Sequence, residues 1–157
     1  MKKLVLVVVA VALIAMTGAA FAATATSNLT VTANVQNVCT ISSAPGTVDF
    51  GNYDPTSTTD NIAGSTSFGY KCTKGTVFRS YITRTNQMLM GGVDPLTYDL
   101  YADAARTTVF PATFAAASSQ TSPDNGQKTM NIYGKIPNSQ NVLSGVHTET
   151  DVITIEY

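Results

Sequence analysis

Few side chains in this chain of 157 residues could carry chemistry. It has one histidine, His147, and two cysteines, Cys39 and Cys72. A structural zinc site needs four ligands, mostly cysteine and histidine, and this set falls short of that number. A serine triad would depend on His147, but the chain has no Gly-x-Ser-x-Gly turn to present the nucleophile. The composition therefore argues against an enzyme.

Two small groups of side chains could in principle ligate a metal ion. Asp49, Asn52 and Asp54 offer oxygen atoms, but they lack the spacing and closing glutamate of a helix-loop-helix calcium site. We interpret them as residues that cap loops and turns. Met88 and Met90 could hold copper, yet without a neighbouring cysteine or histidine the pair is typical of packing. We expect no metal and no cofactor.

The charge content is low and balanced. Charged residues make up 12% of the chain, and nine basic against ten acidic groups leave a net charge of −1. A protein that binds nucleic acid usually presents a basic field to the phosphates. The sequence therefore excludes a nucleic-acid-binding protein.

Residues 1–22 have the pattern of a secretory signal peptide. Two lysines precede an uncharged apolar stretch that runs from Leu4 to Met16, and Ala20-Phe21-Ala22 is typical of a cleavage site. We expect cleavage after Ala22. The alternative is a retained membrane anchor, because the stretch approaches the roughly 20 residues of a spanning helix.

Export also bears on the two cysteines. Thiols in an oxidising compartment usually pair, so we predict a disulfide between Cys39 and Cys72 that closes a loop of about 33 residues. Metal binding or a reactive thiol is the alternative.

Alternation of apolar and polar residues predicts β-strands along the mature chain. It is clear at 29–35 and again at 68–72. Further strands are expected at 47–50, 77–83, 96–101, 129–136 and 150–157, and short helical turns only at 103–106 and 114–117. About seven short strands favour a single β-sandwich.

The segment 23–38 stands apart from the other strand candidates. It contains no charge, no glycine and no proline, and no tight turn folds it back on its neighbour. Such a segment can pair with its own domain, stay flexible, or add a strand to the exposed sheet edge of another molecule. The residues alone leave these three alternatives open.

Four segments of the mature chain resemble the spore coat protein U domain family, which includes the Csu-type pilins of the archaic chaperone-usher pathway. The most specific are 98–107, which reads Tyr-x-Leu-Tyr-x-Asp-Ala-Ala-Arg-Thr, and 133–137, which reads Tyr-Gly-x-Ile-Pro. The other two are Val48-Asp49-Phe50-Gly51-Asn52-Tyr53 and Tyr70-Lys71-Cys72-Thr73-Lys74-Gly75.

The resemblance implies an all-β fold, an incomplete immunoglobulin-like β-sandwich over residues 39–157 that a donated strand completes. A periplasmic chaperone would lend that strand first, and at the outer-membrane usher the N-terminal arm of the next subunit, residues 23–38, would replace it. The implied plugs of the arm are Leu29, Val31, Ala33 and Val35. The implied groove edge, which also serves chaperone docking, consists of Ile153, Ile155 and Tyr157.

On this resemblance we expect a structural subunit that polymerises with other pilin subunits, as a homopolymer or a heteropolymer. It would be exported through the periplasm to the cell surface, where the fimbria supports adhesion and biofilm formation. One alternative is a coat protein of the same family that forms no pilus. Another is a secreted carbohydrate-binding module, because a β-sandwich does not determine function.

The chain departs from the family pattern at three positions. Ala33 is a small plug where relatives commonly carry a larger residue. His147 stands where a tyrosine is usual, and Asp151 stands where an apolar residue is usual. A buried carboxylate without a partner is costly, so either the start of the last strand is solvated or Asp151 has a partner.

Overall fold

The structure, a computed structural model, describes residues 22–157, so all but the last residue of the predicted signal peptide lies outside the described residues. It has two units, which divide between Asn34 and Val35. In the first unit, residues 22–34 contain neither strand nor helix, and all are exposed. Between residues 22 and 157 there is no helix with the length and hydropathy to cross a membrane.

The second unit, Val35–Tyr157, is built from antiparallel strands. One sheet has the order β1-β2-β8-β6, a second has the order β7-β3-β9, and a hairpin pairs β4 with β5. The fold is the all-β, sandwich-like fold that the alternation predicted, and residues 22–157 contain no helix. The strands are β1 Cys39–Ser43, β2 Ser65–Cys72, β3 Val77–Thr83, β4 Gln87–Met90, β5 Val93–Thr97, β6 Asp99–Tyr101, β7 Gln120–Thr121, β8 Lys128–Lys135 and β9 Val152–Glu156.

The core lies between the two larger sheets. Alternate residues of β3, such as Phe78 and Ile82, are buried, and they share one hydrophobic cluster with Phe68 of β2 and Ile132 of β8. Each side chain of this size contributes roughly 1.5–3 kcal/mol when it leaves water. The period-two pattern therefore places apolar residues on the inner faces and leaves polar ones outside.

Several predicted boundaries were wrong. Residues 47–50 form no strand, because Val48 and Phe50 pack by their side chains onto two glycines instead of joining a ladder. The expected strand 96–101 is split at Tyr98, whose backbone N–H donates to Asn86 O, so β5 pairs with β4 while β6 pairs with β8. The sequence pattern does not predict the strands β1, β4 and β7.

Two other expected elements also take a different form. Residues 29–35 lie in no strand of this single chain, since alternation alone supplies no hydrogen-bonding neighbour. The segments 103–106 and 114–117 form turns, closed by Arg106 N donating to Asp103 O and by Ala117 N donating to Phe114 O.

Candidate strand-acceptor groove

Two sheet edges adjoin on one side of the sandwich. β1 ends the four-stranded sheet and β9 ends the three-stranded sheet, and Cα atoms of the two strands lie within 8 Å of each other. No ladder of the described chain joins them: β1 pairs with β2, and β9 pairs with β3. The sandwich thus has a seam where backbone groups of both strands have no strand partner.

The side chains along this seam are apolar and only partly covered. Ile41 shares a strand face with the buried Cys39 but is 44% exposed. Ile153 and Ile155 of β9 pack against the core and remain half-buried. Tyr157, the third residue of the expected groove edge, follows the end of β9 and is exposed. The seam therefore exposes apolar side chains from both edges, and we call it the groove between β1 and β9.

A cavity of about 700 Å³ lies between the chain that follows β1, residues 47–55, and the chain that precedes β9, residues 142–149. Because these segments continue the two edge strands, the cavity extends the groove beyond the first residue of β9. Its apolar walls include Val48, Met88, Leu96, Ile136 and Val142.

Two glycines pack against one wall of this cavity, and we call this pair the glycine seat. Gly64 and Gly134 are buried neighbours, and Gly134 N donates to Gly64 O at 2.7 Å. A Cβ on Gly64 would lie 2.8 Å from Val48 Cγ1, and one on Gly134 would lie 2.7 Å from Phe50 Cε1. Only glycine leaves room for these two side chains. The family motifs at 48–53 and 133–137 are therefore two halves of one contact.

The third family motif, residues 98–107, is also structural. The guanidinium of Arg106 donates to three carbonyls, Gly134 O at 2.9 Å, Ala104 O at 2.9 Å and Ile62 O. The carboxylate of Asp103 accepts hydrogen bonds from the backbone of Thr107 and Thr108. This loop ties β6 to β8 and holds the strand that carries the glycine seat.

Asp151 has a hydrogen-bond partner, one of the two alternatives that the sequence allows. The hydroxyl of Tyr98 donates to Asp151 Oδ2 at 2.7 Å, while Asp151 Oδ1 is buried without a partner. Burial raises the pKa of Asp151 above its usual value, and Glu149 adds to the shift while Tyr98 and Arg84 oppose it. Burial and the two carboxylates also raise the pKa of Tyr98 well above its usual value.

Glu149 binds the start of β4. Its carboxylate accepts from Thr85 N at 2.5 Å, Thr85 Oγ1 at 2.7 Å and Gln87 N at 2.9 Å. Although burial opposes it, these hydrogen bonds lower the pKa of Glu149. His147 lies nearby with Nε2 3.1 Å from Leu143 O and 3.7 Å from Asp94 Oδ2. The chain before β9 is thus held by polar contacts to the β4–β5 hairpin.

The opposite side of the sandwich is bridged by the chain itself. Phe110 N donates to Leu100 O of β6 at 2.8 Å, and Pro111 O accepts from Ile82 N of β3 at 2.9 Å. Residues 108–111 thereby bond to both sheets. The same segment lines a second cavity, of about 710 Å³, together with Ser80 and Arg84 of the facing side. The two sides of the sandwich differ: a segment of the chain hydrogen-bonds to both sheets on this side, and no described segment does so along the seam between β1 and β9.

The predicted plugs of the arm lie outside every strand. Leu29 is 87% exposed, Val31 83% and Val35 77%, and the smaller Ala33 is also exposed. At the end of the arm, the structure contains the Cys39–Cys72 disulfide, which joins β1 to β2 at paired positions.

The residues considered for metal chemistry serve other contacts. Asp49 Oδ1 accepts from Gly51 N at 2.8 Å, and Asp54 Oδ1 accepts from Thr56 N at 2.8 Å, so both close turns. Met88 packs against the core. Across residues 22–157, no three His, Cys, Asp or Glu side chains come together as a metal site.

Two parts of the site are not evident from the sequence. Alternation predicts a strand at 47–50, which is instead a wall of the cavity, although the glycine in the Tyr-Gly-x-Ile-Pro motif could indicate a close contact. The contacts of Thr73 with residues 36–38 have no sequence signal beyond its place next to Cys72.

These features define a class, a disulfide-linked all-β sandwich with two adjoining unpaired edges. The family model described as Spore Coat Protein U domain matches residues 25–155. Protein U of Myxococcus xanthus is 31% identical over an alignment of 182 positions, which covers 99% of this chain and 98% of that relative. The chain therefore belongs to the spore coat protein U domain family, as the motifs predicted. This family is of structural coat or pilin type, and its members are surface-associated or exported.

Proposed function

We propose that this protein is a pilus subunit that polymerises by strand donation. The groove between β1 and β9 accepts the N-terminal arm of another subunit, and the periplasmic chaperone and outer-membrane usher of the chaperone-usher pathway bring the two together. The resulting surface fibre supports adhesion and biofilm formation. The observation that carries the proposal is the unpaired seam between β1 and β9, since both edge strands leave backbone groups that an added strand could bond.

The arm has the composition and length for this groove. Burial of Leu29, Val31 and Val35 at roughly 1.5–3 kcal/mol each would contribute about 5–9 kcal/mol. An extended segment such as 29–35 spans roughly 23 Å, whereas the five residues of β9 span roughly 17 Å. The arm would therefore continue from the edge of β9 into the cavity beyond it.

A graft tests the proposal directly. A copy of residues 27–37 is added after Tyr157 through a flexible linker, and the mature chain 23–157 is compared with the grafted chain. We expect multimers or aggregates from the ungrafted chain and a soluble, heat-resistant monomer from the graft, because the copy fills the groove. The matched control carries serine at the copied Leu29, Val31 and Val35. A well-behaved monomer from the ungrafted chain would contradict the proposal.

A pair of substitutions separates donation from acceptance. Val31→Asp should block fibre assembly and leave chaperone binding intact, because the charge enters the neighbour's groove and not the subunit's own. Thr32→Asp, on the other face of the arm, should leave assembly unchanged. Assembly is followed by electron microscopy and chaperone binding by co-purification. Equal loss of both activities in Val31→Asp would mean that the arm belongs to the subunit's own core.

A coat protein that assembles on a spore or cell surface without forming a pilus is the second candidate. The family description and the similarity to Protein U favour it. Neighbouring genes for a chaperone and an usher would favour the pilus. A layer without fibres on cells that express the protein would favour the coat.

A further inference from the structure

The chain just before Cys39 is held by a turn that follows the other half of the disulfide. Thr73 N donates to Val38 O at 2.9 Å, and the Thr73 hydroxyl accepts from Val38 N at 3.3 Å and donates to Gln36 O at 3.0 Å. The Thr76 hydroxyl donates to Asn37 Oδ1 at 3.3 Å. We call this set of contacts between residues 36–38 and residues 73–76 the root clamp.

The turn that makes the clamp is itself fixed. Thr76 N donates to Thr73 O at 3.0 Å, and Gly75 takes the positive φ of +82° that the turn requires. Gly75 N donates to Ser122 O, and Ser122 N donates to Thr76 O. Thr76 and Ser122 are buried polar residues at 1% and 2% exposure, and their hydrogen bonds satisfy them. The turn at 73–76, which makes the clamp, is therefore itself held by hydrogen bonds to Ser122.

The disulfide alone would keep Cys39 attached to β2. The ends of a domain are usually poorly ordered unless something ties them down, and here three further residues are tied. These residues are exposed and bury no apolar core, so the clamp adds little to the packing of the sandwich. What it does constrain is the path of the chain where the arm begins.

We propose that Thr73 is a positioning residue, whose clamp sets the direction in which the arm leaves the subunit and hence the angle between successive subunits of the fibre. This inference rests on the proposed function. Its chemistry is specific, because a single hydroxyl both accepts from Val38 N and donates to Gln36 O. Thr73→Val keeps the shape of the side chain and removes both hydrogen bonds, whereas Thr73→Ser keeps the hydroxyl.

The experiment compares fibres of the wild-type mature chain with fibres of T73V, T73S and T129V. Thr129 is an exposed threonine of β8, outside the seam and the clamp, and serves as the matched control. Hydrogen exchange of the peptide that contains Val38 reports the clamp, and persistence length in electron micrographs reports how narrowly the angle between successive subunits is held. In T73V we expect about fivefold faster exchange at Val38, from the loss of one hydrogen bond, and a persistence length reduced at least about twofold. T73S and T129V should match the wild type.

Three results would overturn the inference. Unchanged exchange at Val38 in T73V would mean that the hydroxyl does not hold the arm. Faster exchange with unchanged persistence length would mean that the clamp does not set the angle between subunits. Both results require wild-type fibres, so they leave the proposed function standing. A wild-type chain that forms no fibre with its chaperone and usher would overturn the proposed function, and this inference with it.

Discussion

Gly134→Ala should lower the free energy of unfolding of the sandwich and displace Val48 and Phe50, which line the cavity. The new Cβ would lie 2.7 Å from Phe50 Cε1 and 2.9 Å from Val48 Cγ1, and closer still to Phe50 Cζ, against ordinary contacts of 3.4–4 Å. Phe50 cannot move freely, since it is 8% exposed and packs edge-on against Tyr98 with ring centroids 6.4 Å apart. The ring would have to shift by about 1 Å in a close-packed core.

The magnitude follows from two opposing effects. Overpacking of a core costs about 1–3 kcal/mol. Loss of the glycine reduces the freedom of the unfolded chain, which stabilises the fold by about 0.4–1 kcal/mol. We expect a net loss of about 1–2 kcal/mol in the free energy of unfolding, or a fall of about 4–8 °C in Tm for a domain of this size. Thermal unfolding of the grafted monomer, followed by circular dichroism, measures it.

A double-mutant cycle decides whether the contact with Phe50 is the cause. Phe50→Leu makes room for the new methyl group, so the double variant should be more stable than the sum of the single effects by about 1 kcal/mol. Gly46→Ala is the control, because its Cβ would meet only the Thr66 hydroxyl, at 3.3 Å. Additive effects in the cycle, or an unchanged Tm in Gly134→Ala, would refute the glycine seat.

Three further predictions concern the rest of the fold. Arg106→Lys should lower the free energy of unfolding by about 2 kcal/mol in denaturant titrations, because an ammonium cannot reach three carbonyls as the guanidinium does. Arg79→Lys is the control: it loses one bond, to Phe114 O, and should have a smaller effect. Burial raises the pKa of Asp151, so its ionised form weakens the fold as pH rises through that pKa. Asp151→Asn should therefore raise the denaturant midpoint at pH 7. This gain in midpoint should vanish below about pH 4, where the carboxyl is protonated in both the folded and the unfolded state. A gain that persists unchanged at pH 3 would show that the charge is not responsible. Replacing both Cys39 and Cys72 by alanine should cost about 3–4 kcal/mol in the same titration, because the disulfide closes a loop of 33 residues, and an unchanged midpoint would contradict this.

The strands that could be predicted are those with a simple inner and outer face. The strand predicted at 77–83 is β3, residue for residue, because Phe78, Ser80 and Ile82 are buried and alternate with more exposed side chains along the whole strand. The split at Tyr98 could not be foreseen, because alternation continues through it while the hydrogen-bonding partner changes from β4 to β8. Periodicity reports which face is buried, but it does not report which strand lies alongside.

The same limit applies to the groove. The family motifs indicated the arm and the last strand, but Phe50 and Gly134 are more than 80 residues apart, and their contact appears only when the chain is folded. Asp151 shows the reverse case. Its cost in an apolar strand was visible in the sequence, and the sequence could state that a partner was needed, but Tyr98 as that partner depends on where the β5–β6 break falls.

The hydrogen bonds of residues 108–111 to both sheets bear on the architecture of any assembly. On the proposed function, each subunit accepts one strand at the seam between β1 and β9 and donates one arm. Such a subunit has a valence of two, so the assembly elongates end to end and does not branch or cross-link into a mesh.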